Sequence, residues 1–263
     1  MTIRTVTHAL APLLQTLELE QPRVVTRDEL ERFARQAGVA WPVASIVQRL
    51  REQGWLLGLR TRGVWEFAPA ARAGAYGSGD PFIELRATLR RDPEAAYVVA
   101  ADSAAYLLGY SSRRPPRDAV AAPPGVTVPP ALRDYRIVRW RPASAATRRE
   151  ELPVWSAATL VAFMAARPAR FGDWPNVGEW LSAATGDVAT ADLTTELAGR
   201  PRSAWARAGY LLHRGGRRAE ALELLAGAPV GHGPYYLGDR RSAGRHDPFF
   251  DVVDSTSLEM QGR

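Results

Sequence analysis

The stretch TRDELERFARQAGVAWPVASIVQRLREQGW, residues 26–55, reads as two amphipathic helices joined by a tight turn. Thr26 and Glu29 stand at capping-box spacing: the threonine side chain accepts from the glutamate amide while the glutamate reaches back to the threonine amide. Beyond them Leu30, Phe33, Ala34 and Ala37 recur on one helical face, and Gly38 supplies a left-handed stop. Pro42 suits the first position of the next helix, whose apolar stripe is Val43, Ile46, Val47 and Leu50. Two residues along a helix rotate by about 200°. Ser45, Gln48, Arg49 and Glu52 therefore face away from that stripe, and Gly54 closes the helix.

Upstream, Leu10, Leu13, Leu14 and Leu17 repeat at helical spacing, with Pro12 in the first turn and Pro22 as the stop. Downstream, Trp55–Arg60 and Val64–Ala68 are short extended runs around Thr61-Arg62-Gly63, where the glycine suits a three-residue hairpin. Helix, helix, turn, helix, hairpin is the order of a winged helix-turn-helix, expected over residues 1–76. A polar helix face alone is an ordinary solvated surface. Combined with the capped helix, the tight turn and an arginine-bearing hairpin, it points to double-stranded DNA. Ser45, Gln48 and Arg49 are then candidates for base edges, Trp41 for the backbone, and Arg60 and Arg62 for phosphates or an adjacent minor groove.

The small, glycine-bearing stretch 70–79, AARAGAYGSG, reads as a linker, and residues 80–256 as a larger mixed α/β domain with a helical second half. The fold class is thus α+β. Within this second domain the pattern predicts helices over 80–90, 103–109, 156–166, 174–184, 189–198, 201–213 and 217–225. It predicts strands over 97–100, 118–121, 135–141, 234–237 and 248–253, and a disordered tail over 257–263. The segment AGYLLHRGGRRAEALELL resembles one tetratricopeptide helix pair, without the further repeats that an array needs.

The 263 residues are 46% hydrophobic, enough for two cores, and no apolar run is long enough to span a membrane. The N-terminus lacks the order of a secretory signal, so a cytoplasmic protein is expected. No cysteine is present, which excludes disulfides, thiolate metal sites and cysteine nucleophiles. The net charge is +6 and all 34 basic residues are arginine, which favours polyanionic partners, although a GC-rich codon supply produces the same bias.

His8, His213, His232 and His246 form no metal-ligand spacing, and neither a P-loop nor a GxGxxG or GxSxG motif occurs, so no cofactor, metal or catalytic residue is assigned. His232, Asp239, His246, Asp247, Asp251 and Asp254 gather near the C-terminus, but no spacing singles out two carboxylates and a base, and a strand pair with polar loops accounts for them. Trp155, Trp174, Trp180 and Trp205 fall at helix starts and on apolar faces, where they read as core. The pairs Arg113-Arg114, Arg148-Arg149, Arg217-Arg218 and Arg240-Arg241 read as solvated charge.

The chain resembles the AbiEi-type antitoxins of type IV toxin-antitoxin systems. The likeness rests on residues 26–69, on DSAAYLLGY (102–110), on WSAATLVAFMAARPARFGDWPNVGEWL (155–181) and on GRHDPFFDVVDS (244–255). The resemblance implies a transcriptional regulator, not an enzyme, whose N-terminal domain binds inverted repeats in its own promoter and represses its operon. It also implies that the larger domain counteracts a nucleotidyltransferase toxin without requiring a stable complex. The alternatives are a protein-interaction module built on the helices after Ser156, and a general winged-helix regulator with no toxin partner. A nuclease using Asp247, Asp251 and Asp254 is a further, chemically distinct reading.

Overall fold

The computed structural model describes residues 8–72 and 77–256; the tail 257–263 and linker residues 73–76 lie outside them. The chain divides into two compact units, Met1–Ala96 with Thr127–Asp134, and Tyr97–Val126 with Tyr135–Arg263. Both mix helices with sheet, as expected of an α+β protein.

In the first unit a short 3-10 turn leads into α1, Ala11–Glu20, with proline in its first turn. Leu10, Leu13, Leu14 and Leu17 are buried along the predicted stripe. The strand β1, Val24–Thr26, precedes α2, Arg27–Gln36; the sequence reading had treated these three residues as a mere helix approach. The capping box forms, with the Glu29 amide donating to Thr26 Oγ1 at 3.2 Å and the Thr26 amide to Glu29 Oε2 at 2.9 Å. Gly38 follows with φ +70°, and α3, Val43–Glu52, begins after Pro42, which caps the helix and is not its first residue.

The strands β2, Leu56–Gly58, and β3, Val64–Phe67, are antiparallel, and β1 joins the other side of β3 in the order β1-β3-β2. Alternation along these strands sorts their side chains between two faces. Val25 and Phe67 enter the core of α1, α2 and α3 with Leu30, Ile46 and Leu50. Val24 and Val64 face the other way, and α4, Ile83–Arg91, covers them with Ala87.

That second face corrects the expected boundary. The helix predicted over 80–90 and assigned to the larger domain packs on β1 and β3, because the sheet would otherwise expose two valines. The sequence of α4 alone does not say which sheet it covers. Asp80 fixes the entry to α4, accepting from the Phe82 amide at 2.8 Å and from Arg86 Nε at 2.6 Å. The 3-10 turn Pro130–Leu132, far away in sequence, also packs on α4 and belongs to this unit.

The second unit holds a five-stranded sheet in the order β6-β5-β4-β8-β7. Its strands are β4 (Val98–Val99), β5 (Ala119–Ala122), β6 (Arg136–Arg139), β7 (Thr147–Arg149) and β8 (Leu152–Val154), and α5, Ala101–Leu107, follows β4. The β7–β8 hairpin was not anticipated. Glu150 and Glu151 both adopt positive φ, 47° and 65°, in its two-residue turn; that conformation suits the hairpin twist but is poorly signalled by glutamate.

Then come α6 (Ala157–Ala166), α7 (Trp174–Gly186), α8 (Thr190–Leu197), α9 (Arg202–Arg214) and α10 (Arg218–Ala226). Helix α6 is apolar on every side and nearly all buried, so it is the hub on which α8 and α9 pack. The four tryptophans assigned to the core are all buried. A last small sheet has the order β10-β11-β9, from β9 (Tyr235–Leu237), the unanticipated β10 (Arg245–Asp247) and β11 (Val252–Asp254), which starts later than the expected 248. No helix among the described residues is long and apolar enough to cross a membrane.

Candidate nucleic-acid interface

The buried stripe of α3 consists of Ile46 and Leu50, with Val43 and Val47 packed at its margin. Their burial fixes the helix's rotation and leaves Ser45, Gln48 and Arg49 exposed; Trp41, in the turn before the helix, is 40% exposed. These four thus share the outward side of the turn and helix. Two of them are held: Gln48 Nε2 donates to Glu52 Oε1 at 2.9 Å, and Arg49 lies 3.7 Å from Glu52 Oε2.

The two hairpin arginines part company. Arg62 is exposed at the tip. Arg60 instead pairs with Asp134 at 2.6 Å, and its amide donates to Glu84 Oε1 at 2.7 Å. Thr61 Oγ1 donates to the other oxygen of Glu84 at 3.2 Å. The hairpin is therefore braced on α4, and Arg60 would have to leave a carboxylate to reach a phosphate.

Beside α3 lies a groove of about 640 Å³ lined by Arg27, Val47, Gln48, Arg51, Leu57 and Trp65, among others. Arg51 runs along β2, its NH2 3.8 Å from where a Cβ on Gly58 would sit. The Arg27 amide donates to the Gly63 carbonyl at 3.0 Å, which ties the start of α2 to the hairpin turn. Neither arginine has a carboxylate within ion-pair distance among the described residues. Sequence reasoning missed both: Arg27 looked like the first residue after a cap, and Arg51 lay outside the four polar positions chosen on the wheel. Arg51 follows Gln48 by three, so the i, i+3 rule would have found it.

At the opposite end of α2's capping box, Glu29 also pairs with Arg90. Burial alone would raise its pKa, but the bonds from Arg90 and Thr26 outweigh that and hold it below the ordinary glutamate value.

The second unit carries its own buried polar framework. Asp102, at the start of α5, pairs with Arg136, and burial raises its pKa in spite of that partner. Ser103 donates to Asp118 at 3.1 Å and accepts from the Ala119 amide at 2.9 Å. Glu196 Oε1 accepts from the amides of Ala143 and Ser144, each at 2.9 Å, and from Thr159 Oγ1 at 2.7 Å, which pins a loop to α6 and α8.

The C-terminal acidic residues are dispersed. Asp254 accepts from Tyr210 at 2.8 Å, Asp251 meets His246 at 3.1 Å and the Gly233 amide at 2.9 Å, and Asp247 accepts from the Phe249 amide at 2.9 Å. Burial and Asp254 together raise the pKa of the Tyr210 hydroxyl. Among the described residues no three histidine or acidic side chains are grouped to hold a metal ion.

A family model described as the AbiEi antitoxin C-terminal domain matches residues 96–214. That span covers the five-stranded sheet and α5 to α9. The crystal structure of the RV2827C protein from Mycobacterium tuberculosis is similar over 97% of this chain and 94% of that one, with 30% sequence identity and a TM-score of 0.77. No curated protein matches the sequence. The family likeness read from the sequence segments and the matched domain agree, and the chain belongs to the AbiEi antitoxin family.

Proposed function

We propose that this antitoxin binds double-stranded promoter DNA through a winged helix-turn-helix made of α1 to α3 and the β1-β3-β2 sheet, and that it represses its own operon. The observation that carries this reading is the exposed face of α3 beside a groove with two arginines that have no carboxylate partner. In a major groove, Ser45, Gln48 and Arg49 would meet base edges, while Arg62 and the groove arginines would neutralise phosphates. The remaining sequence assignments, Trp41 at the backbone and Arg60 at a phosphate, are part of the same proposal, with Arg60 the weaker because of Asp134.

The larger unit, which contains the matched antitoxin domain, counteracts a nucleotidyltransferase toxin, and the protein acts in the cytoplasm beside its operon. We assign it regulatory work and no catalysed reaction. Anisotropy titration of the full chain against an inverted repeat from its own upstream DNA tests the reading. Binding should be specific for that repeat and should weaken steeply with salt, since each neutralised phosphate releases counterions. Affinity no better than for a scrambled duplex across the salt range would remove the autorepression claim.

A second reading, direct protein contact, is favoured by Val230 and Phe249, which are 95% and 54% exposed. Both lie in loops joined through Asp251 and the Gly233 amide. If the toxin docks there, replacing both by serine should abolish co-purification with the toxin and leave operator binding intact. Unchanged co-purification would dismiss this surface.

A further inference from the structure

In the second unit Arg207 stands in the middle of α9 and is only 9% exposed. Its NH1 donates to the Ala165 carbonyl at 2.9 Å, in the last turn of α6, where the helix end carries partial negative charge. Its Nε is buried and has no hydrogen-bond partner. Among the described residues no carboxylate stands within ion-pair distance of it. The closest charged influence is Arg240, of the same sign, and burial followed by that neighbour lowers the guanidinium's pKa.

The Tyr235 hydroxyl, on β9, is likewise buried without a partner and also acts electrostatically on Arg207. Beside it the chain is bare: a Cβ on Gly231 would come within 3.1 Å of that hydroxyl. Arg240 is exposed and lies 5.4 Å over the Tyr236 ring, at the end of the same strand segment. A buried cation and a buried hydroxyl with nothing to receive their protons are strongly unfavourable. All the groups facing this place are donors or cations, and they come from a helix, a strand and a loop.

We propose that Arg207, Tyr235 and Arg240 bind a tetrahedral oxyanion of the phosphate type. One such anion has enough oxygens to accept from Arg207 Nε and the Tyr235 hydroxyl and to neutralise Arg240 at once, which a planar carboxylate does less completely. The site belongs to the antitoxin domain and its C-terminal extension, and is separate from the α3 groove and its role in DNA binding.

Titration calorimetry and thermal melts of the full chain test this with sodium phosphate against sodium chloride at equal ionic strength. Phosphate should bind saturably and raise the melting temperature. Arg207→Met should weaken binding by at least about tenfold, the loss expected of one charge-assisted hydrogen bond. Tyr235→Phe and Arg240→Gln, which leave α9 intact, should each weaken it by about threefold or more. If ethyl phosphate binds with the same dependence, the natural ligand is a phosphate on a larger molecule; if only inorganic phosphate binds, it is the free ion.

The proposal is overturned if phosphate gives no more stabilisation than chloride. It is equally overturned if Tyr235→Phe and Arg240→Gln bind phosphate as tightly as the unmodified protein, for Arg207 is then only a brace between α9 and α6. Those two variants decide the matter even if Arg207→Met does not fold.

Discussion

Gln48 donates from Nε2 to Glu52 Oε1 at 2.9 Å, while the other oxygen of the same carboxylate lies 3.7 Å from Arg49. Both candidate base readers are thus held by one acidic side chain on the surface proposed to face DNA. The pairs are exposed, so they contribute little to folding, about 0.5 kcal/mol or less. Their larger effect is to hold two donors back and to place a negative charge near phosphates. Glu52→Ala should therefore leave the melting temperature almost unchanged and tighten DNA binding by about two- to tenfold at low salt. Weaker binding would mean that Glu52 itself positions the readers.

Arg51 and Arg49 should fail differently. Arg51→Ala, like Arg27→Ala, should weaken all duplexes alike and reduce the magnitude of the log–log salt slope by about one, as expected for a lost phosphate contact. Arg49→Ala should cost about 1 to 3 kcal/mol on the operator and much less on scrambled DNA if it reads a base. Competition titrations at several salt concentrations separate the two patterns, and equal losses on both duplexes would refute base reading by Arg49.

The hairpin depends on Glu84, which accepts from the Arg60 amide at 2.7 Å and from Thr61 at 3.2 Å. Glu84→Ala leaves the Arg60 amide and the buried Thr61 hydroxyl in search of new partners and should destabilise the first unit by about 1 to 3 kcal/mol. Arg60→Ala loses a half-exposed ion pair with Asp134 and should cost about 1 kcal/mol or less. Chemical denaturation distinguishes them; a larger loss from Arg60→Ala would mean its side chain is the true brace.

Burial raises the Asp102 pKa above the ordinary 3.8 despite Arg136. An acid with a higher pKa in the folded state binds its proton more tightly there. Its contribution to stability is therefore fully present below the unfolded value and is lost as pH rises through the folded one. Asp102→Asn, which keeps the shape without the charge, should flatten that loss above about pH 4 and change stability at pH 7 by about 1 kcal/mol or less. Denaturant melts from pH 4 to 7 measure it, and a cost of several kcal/mol at pH 7 would show the ion pair to be net stabilising.

Gly215 closes α9 against Thr185, whose side chain is fully buried: a Cβ at position 215 would lie 2.9 Å from the Thr185 Cβ. Backbone conformation is not at issue, since φ is −80°. Gly215→Ala should destabilise the second unit by about 1 to 3 kcal/mol through overpacking, read as a lower melting midpoint, and should leave operator affinity at saturating folded protein unchanged.

Local chemistry made the N-terminal elements legible from sequence. The capping box at Thr26, the stop at Gly38 and the stripe Ile46–Leu50 each act within a few residues, so neighbouring side chains determine helix starts, ends and the outward placement of Ser45, Gln48 and Arg49. The quoted family segments likewise survive in the matched domain. Tertiary structure decided what depends on distant partners: β1 exists because β3 offers it a ladder, and α4 belongs to the first unit because Val24 and Val64 need a cover. Arg60 is directed by Asp134, which lies 74 positions away (134 − 60), and the Arg51 groove forms only when α3 packs beside β2 and β3. Helical spacing states which side chains share a face. It does not state which carboxylate, sheet or empty space that face will meet, because those contacts arise from residues brought together only when the chain folds.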